Sequence, residues 1–326
     1  MKIRYWILVV EEHKKRRNQV INLFKIAISL GVLALFLRQV ELDEVLRLLR
    51  QMDWLPFLSA LALFLSGSFV RAYRWGVLVW ALGVPASWWR LVDLYFVGTF
   101  FNQFLPTGVG GDAVKMYELA RDERKAAAAI SSVLVDRFLG LFVLFAMALL
   151  ALLLGHQMVP PQVRVLIALV FITSLVGAAL VWQRTWIETA GRRLGLDRWV
   201  GRVRIVRDLY RSLHDYGAAA LWKATAASVV WNLILVLGYY LLAQAVSIHL
   251  ELWYFFLFVP IISVLLMIPS VGGLGVREGT TMFLFSQVAD ENRAGALALA
   301  YLLTLWINAL IGAILYIIQG MQEVQR

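Results

Sequence analysis

The 326-residue chain is 61% hydrophobic and only 16% charged, with a mean hydropathy of +0.74, a formal net charge of +10 and no cysteine. Such a composition excludes an ordinary soluble domain, and the lack of cysteine excludes disulfides, thiolate metal sites and iron–sulfur clusters. The basic residues lie in short connections between apolar runs, where Lys and Arg face anionic lipid, so the positive charge points to a membrane surface and not to nucleic acid.

In chain order, residues 1–17 end in Lys14, Lys15, Arg16 and Arg17 and read as a cytoplasmic extension, without the cleavage pattern of a secretory signal. A helix needs roughly 20 apolar residues to cross ~30 Å of hydrocarbon. Residues 20–37 supply the first span, and residues 40–54 an amphipathic helix on the outer face, with Leu42, Val45, Leu46 and Leu49 at helical spacing. A second span, 54–70, ends inside at Arg71 and Arg74, followed by Trp75, Trp80, Trp88, Trp89 and Arg90 at headgroup level. Residues 91–105 form only half a span, closed by Pro106, and residues 114–120 lead back to Arg121, Arg124 and Lys125. A segment that leaves the inside and returns to it is a re-entrant hairpin.

Residues 126–155 are a full span carrying Asp136 and Arg137; 156–164 form an outer loop and 165–182 return inside. Within 192–216, seven Arg accompany Trp199, Val203, Val206 and Tyr210 near a 3.6-residue spacing, the pattern of a basic amphipathic helix on the inner leaflet. Residues 221–247 span outward, 253–268 stop short at Pro269, and 279–288 lead to an acidic, non-basic turn, which makes a second hairpin opening from outside. Residues 296–318 are the last span. The expected fold is therefore an all-α polytopic membrane protein, 18–321, with six full spans and two re-entrant hairpins. Its repeats, 18–160 and 161–321, have inverted topology, and both termini are cytoplasmic in a plasma (inner) membrane.

The two hairpin tips share one grammar. Pro106, Gly110, Gly111, Asp112 and Lys115 follow Asn102 and Gln103, and Pro269 precedes Gly272, Gly273, Gly275, Arg277 and Glu278. A broken helix in lipid leaves backbone groups unpaired, so such tips belong in protein or on a water-filled cavity; ordinary Pro-Gly kinks in long spanning helices are the other reading. A helix starting at Gly110 or Gly111 offers free N–H groups to an anionic headgroup, reinforced by Lys115, while Asp112 reads equally as an N-cap. Charges at mid-bilayer pair and face cavities, which leads to an expected crossed network of Asp136, Arg137, Arg277 and Glu278, structural or substrate-binding. Arg71 and Arg74 read either as snorkelling anchors or as phosphate contacts at the cavity mouth. The four His, at 13, 156, 214 and 249, have no metal-ligand spacing, and no metal or cofactor is expected.

On Phe101-Asn102-Gln103-Phe104-Leu105-Pro106 with Gly110-Gly111-Asp112, on Asp136-Arg137-Phe138, and on Gly272-Gly273-Leu274-Gly275-Val276-Arg277-Glu278 after Pro269, the chain resembles the transmembrane, flippase-like domain of lysylphosphatidylglycerol synthases over about 18–319. The resemblance implies movement of a polar lipid, often aminoacylated or glycosylated, between leaflets. Family members that make lysyl-lipid do so in a separate soluble domain, which is not expected here. The partners to expect are membrane lipids, anionic phospholipid or polar glycolipid, with a homodimer or a lipid-synthesis enzyme as protein partner. No Gly-x-x-x-x-Gly-Lys-Ser/Thr loop is present to couple movement directly to ATP. A non-catalytic partner of lipid synthases or glycosyltransferases, or an intramembrane lipid-modifying enzyme, are the alternatives.

Overall fold

The computed structural model describes residues 41–104, 110–120, 126–155, 161–182, 212, 215–266, 268 and 270–324. The expected extension 1–17, the first span 20–37, nearly all of the basic helix 192–216, Pro106 and Pro269 lie outside them. The described residues form ten helices and no strand: α1 (Leu42–Arg50), α2 (Trp54–Ala81), α3 (Trp88–Phe104), α4 (Gly110–Leu119), α5 (Ala126–Gly155), α6 (Pro161–Trp182), α7 (Ala218–Ala245), α8 (Leu252–Leu265), α9 (Val276–Phe285) and α10 (Glu291–Val324). Four contain stretches long and apolar enough to cross a membrane, Trp54–Ala81, Ala126–Leu153, Ala218–Ala245 and Glu291–Gln319. Large apolar side chains such as Leu150, Leu153, Leu169, Ile172, Trp306, Leu310 and Ile317 are exposed, as a lipid-facing surface requires. This is an all-helical, polytopic membrane protein.

Local chemistry sets several boundaries. Asp53 caps α2 by accepting the Leu55 N–H at 2.9 Å. Pro161 opens α6, where a missing N–H costs nothing. One expected boundary is wrong: α2 does not stop at Val70 but runs on to Ala81, because Trp75–Ala81 is apolar and continues the helix beyond Arg71 and Arg74. Both arginines therefore sit inside a 28-residue helix, and Trp75 is fully buried in the protein.

The longest mutual packing is between α2 and α7. It is reciprocal: Gly67 of α2 receives the Trp231 ring of α7, and Gly238 of α7 receives the Phe64 ring of α2. Small residues that let a neighbour approach closely are how helices associate in lipid, where hydrophobic burial gives little drive. Around this pair, contacts come in matched sets. Helix α3 packs on α10 and α8 on α5; α4 packs on α5 and α9 on α10; α7 packs on α5 and α2 on α10.

Helices α3 and α4 form one antiparallel hairpin, since Asn102 meets Gly111, Tyr95 meets Lys115 and Arg90 pairs with Glu118. Helices α8 and α9 form the second, with Phe255 and Phe258 against Phe285. Both lie along α10, from opposite ends. The first lies along the C-terminal half of α10, where a Cβ on Gly312 would overlap the Phe96 carbonyl and the Phe101 ring meets Tyr316 edge-on, and its tip reaches the level of Trp306–Ala313. The second starts at Tyr301, which faces Arg277, and returns to the N-terminal end of α10 through a short turn after Phe285. With ~1.5 Å per residue, the 34-residue α10 is ~50 Å long, and the two tips meet close to its middle.

Candidate functional site

Two cavities flank the meeting tips. One, of about 280 Å³, is polar and is lined by Arg71, Arg74, Tyr95, Gly98, Thr99, Asn102, Asp112, Lys115, Asp136, Arg137 and Leu141, with Ser263 and Leu266 from the second hairpin. The other, of about 580 Å³, is apolar and is lined by Phe100, Gln103, Val271, Leu274 and the Trp306–Ala313 stretch of α10. Helix α3 separates them by its own periodicity. Tyr95, Thr99 and Asn102, at i, i+4 and i+7, share the polar face, while Phe100 and Gln103 fall on the other.

The polar cavity is an assembly of distant charges. Arg74 holds Asp136 through two bonds, Nε to Oδ1 at 2.6 Å and Nη2 to Oδ2 at 2.9 Å, and donates to Ser228 Oγ at 3.3 Å. Both partners are buried, so the pair persists only because its geometry is bidentate. Asp112 is bound by two cations: Lys115 Nζ lies 2.7 Å from its Oδ1, and Arg137 Nε donates to its Oδ2. Lys115 is also stacked over Tyr95 and Trp75, with centroid distances of 4.6 and 5.2 Å. Arg71 lies over two aromatic faces, Tyr95 at 4.9 Å and Trp231 at 4.5 Å, and among the described residues no carboxylate pairs with it.

The first tip closes tightly. A Cβ on Gly111 would overlap the Gly98 carbonyl oxygen, so only glycine lets α4 lie this close to α3. Asn102 Oδ1 accepts the Gly111 N–H at 2.8 Å, so the end of α3 caps the start of α4. Of the two readings of Asp112, the N-cap is therefore filled by Asn102, and Asp112 serves the cations instead. Gly110, Gly111 and Asp112 are all buried.

At the second tip, Gly272, Gly273 and Gly275 adopt φ of +59°, +81° and +79°, conformations L side chains rarely enter. Glu278, fully buried, turns one carboxylate oxygen back to accept the Gly275 N–H at 2.7 Å; its other oxygen has no partner among the described residues. Arg277 Nη2 donates to the Gly272 carbonyl, and the guanidinium faces Tyr301. The expected crossed network of Asp136, Arg137, Arg277 and Glu278 is not formed. Asp136 takes Arg74, Arg137 takes Asp112, and Arg277 and Glu278 bond to backbone groups of their own loop.

Of the expected site residues, Arg71, Arg74, Asn102, Asp112, Lys115, Asp136 and Arg137 converge on the polar cavity. Gln103, Gly272, Gly273, Gly275, Arg277 and Glu278 build the contact between the tips and its surroundings, where Gln103 Oε1 and Arg277 Nη1 are buried without a partner among the described residues. Tyr95 and Trp231 went unnoticed in the sequence, as did Ser228 and Asn232, whose Nδ2 donates to the Gly140 carbonyl at 3.1 Å. The heptad spacing of Tyr95 and Asn102 was the one available signal for the first of these.

No curated protein and no solved structure matches this chain. A family model described as the lysylphosphatidylglycerol synthase TM region matches residues 22–312 and so spans both hairpins and every charged residue of the cavity. The chain belongs to the lysylphosphatidylglycerol synthase TM region family.

Proposed function

We propose that this protein is a lipid flippase or scramblase that carries a polar phospho- or glycolipid headgroup between leaflets, past the two hairpin tips. The observation that carries this reading is the polar cavity: six charged side chains gathered among apolar helices at the depth where the tips meet. A charge at mid-bilayer costs ~2.5–3.5 kcal/mol even on the lenient insertion scale, and such residues characteristically line substrate paths. The headgroup occupies the polar cavity while its acyl chains stay in lipid, because about 280 Å³ falls just below the ~300–1,000 Å³ of pockets that enclose whole small ligands.

In this reading the fold is an inverted repeat of six spans and two re-entrant hairpins, 18–160 and 161–321, with both termini cytoplasmic in the plasma (inner) membrane. The matched contacts of α3 with α10 and α8 with α5, and the entry of the hairpins from opposite ends of α10, support it. The basic segment 192–216 gathers anionic lipid at the inner face, and Arg71 receives its headgroup beside the Arg74–Asp136 pair. Movement is downhill or coupled to protons.

The test is a leaflet assay. Purified protein in liposomes carrying a fluorescent lipid in one leaflet should bring that lipid within reach of an impermeant quencher on the opposite side, with or without a proton gradient. Probes that stay sequestered under both conditions contradict the reading.

A further inference from the structure

We infer that the headgroup this cavity accepts is a lipid-borne phosphate anion, and that an aminoacylated, cationic headgroup or an uncharged sugar is disfavoured. The inference rests on the transport reading for its context and names the substrate class of that site. Its first support is charge. The described lining carries four cations, Arg71, Arg74, Lys115 and Arg137, against two carboxylates, Asp112 and Asp136, an excess of two positive charges. Between apolar helices this excess is less screened than on an open protein surface, so an anion is stabilised there and a second cation repelled.

The second support is how these charges are used. Asp136 is fully engaged by Arg74, and Asp112 is shared by Lys115 and Arg137. Arg71 has no carboxylate among the described residues; Tyr95 and Trp231 hold its plane instead. Aromatic faces position a guanidinium without taking up its N–H donors, which leaves that fork for a planar or tetrahedral oxyanion. Phosphate is the headgroup component that meets both conditions, since it is negative and presents two or more acceptor oxygens to an Arg fork. A neutral sugar leaves the excess charge uncompensated. A lysyl ester adds positive charge beside Arg71.

Two kinds of lipid carry this chemistry, the phosphodiester of a diacyl phospholipid and the phosphomonoester of an isoprenoid lipid. Binding in detergent, followed by native mass spectrometry, separates them without requiring movement. Wild-type protein is offered phosphatidylglycerol, an isoprenyl monophosphate, lysyl-phosphatidylglycerol and a neutral glucosyl diacylglycerol at equal concentration. One or both of the anionic lipids should bind in preference to the other two, and whichever prevails assigns diester or monoester.

Arg71→Gln should weaken that binding about tenfold or more, the loss of one charge-assisted hydrogen bond. Arg71→Lys should restore part of it. Equal or tighter binding of the lysyl or glucosyl lipid by wild-type protein overturns the inference irrespective of how the variants fold. So does unchanged anion binding by Arg71→Gln. Anion-selective binding with no leaflet transfer sinks the transport reading and leaves this one standing; transfer without anion selectivity does the reverse.

Discussion

The α-carbon of Gly272, at the second hairpin tip, lies so close to the backbone carbonyl of Gln103, at the end of α3, that a Cβ would overlap its oxygen. Two segments more than 160 residues apart thus touch backbone to backbone in the middle of the bundle, between a charged cavity and an apolar one.

Any side chain at 272 therefore forces the tips apart, and it must also enter φ near +59°. Gly272→Ala should cost about 2 kcal/mol or more, from left-handed backbone conformation plus the overlap with Gln103. Gly217→Ala is the control, because a Cβ there meets nothing within 4 Å; as the N-cap of α7, where Ala is a poorer cap than Gly, it should still stay within about 1 kcal/mol of wild type. Thermal unfolding in detergent checks both. Equal melting temperatures for the two variants would show that the tips are not in contact.

Breaking the Arg74–Asp136 pair leaves a buried charge alone. Arg74→Ala and Asp136→Ala should each lower stability by ~3–5 kcal/mol, while the double variant should lose clearly less than the sum. Arg74→Lys should remain impaired, since an ammonium cannot reproduce the two-bond grip on Asp136. A double-mutant cycle on denaturation midpoints decides it, and strict additivity would mean that the pair is not coupled.

Glu278→Gln separates structure from charge. The amide oxygen can still accept the Gly275 N–H, so the tip should fold with stability within about 1 kcal/mol of wild type. Leaflet transfer should nevertheless slow, because the carboxylate, one oxygen of which has no partner among the described residues, has become a neutral amide. Glu278→Ala, which orphans the Gly275 N–H, should be less stable than Glu278→Gln. Wild-type transfer by Glu278→Gln removes the carboxylate from the mechanism.

Both hairpins were legible in the sequence because breakers are local: proline and glycine act on their own backbone, and truncated apolar runs can be counted. The start of α4 at the glycines followed from the same reasoning. The reach of α2 was not legible, because a basic residue beside Trp75 looks like an interface whenever the apolar run after it is discounted, and Trp75–Ala81 continues the helix. Asp136 plainly needed a cation. Which one it takes is set by how α2 and α5 cross, and linear spacing does not encode that when the partners are 62 residues apart. The aromatic seat of Arg71 was hidden for the same reason, since Tyr95 and Trp231 come from α3 and α7.

The central claim, that lipid passes through the cavity between the hairpins, is tested most directly by closing that cavity. Thr99 of α3 and Ser263 of α8 both line it, and the chain has no native cysteine. The Thr99→Cys, Ser263→Cys protein in liposomes should lose leaflet transfer when joined by a short, reducible bis-thiol cross-linker and recover it on reduction. Transfer that continues at the uncross-linked rate in fully joined protein would contradict the account.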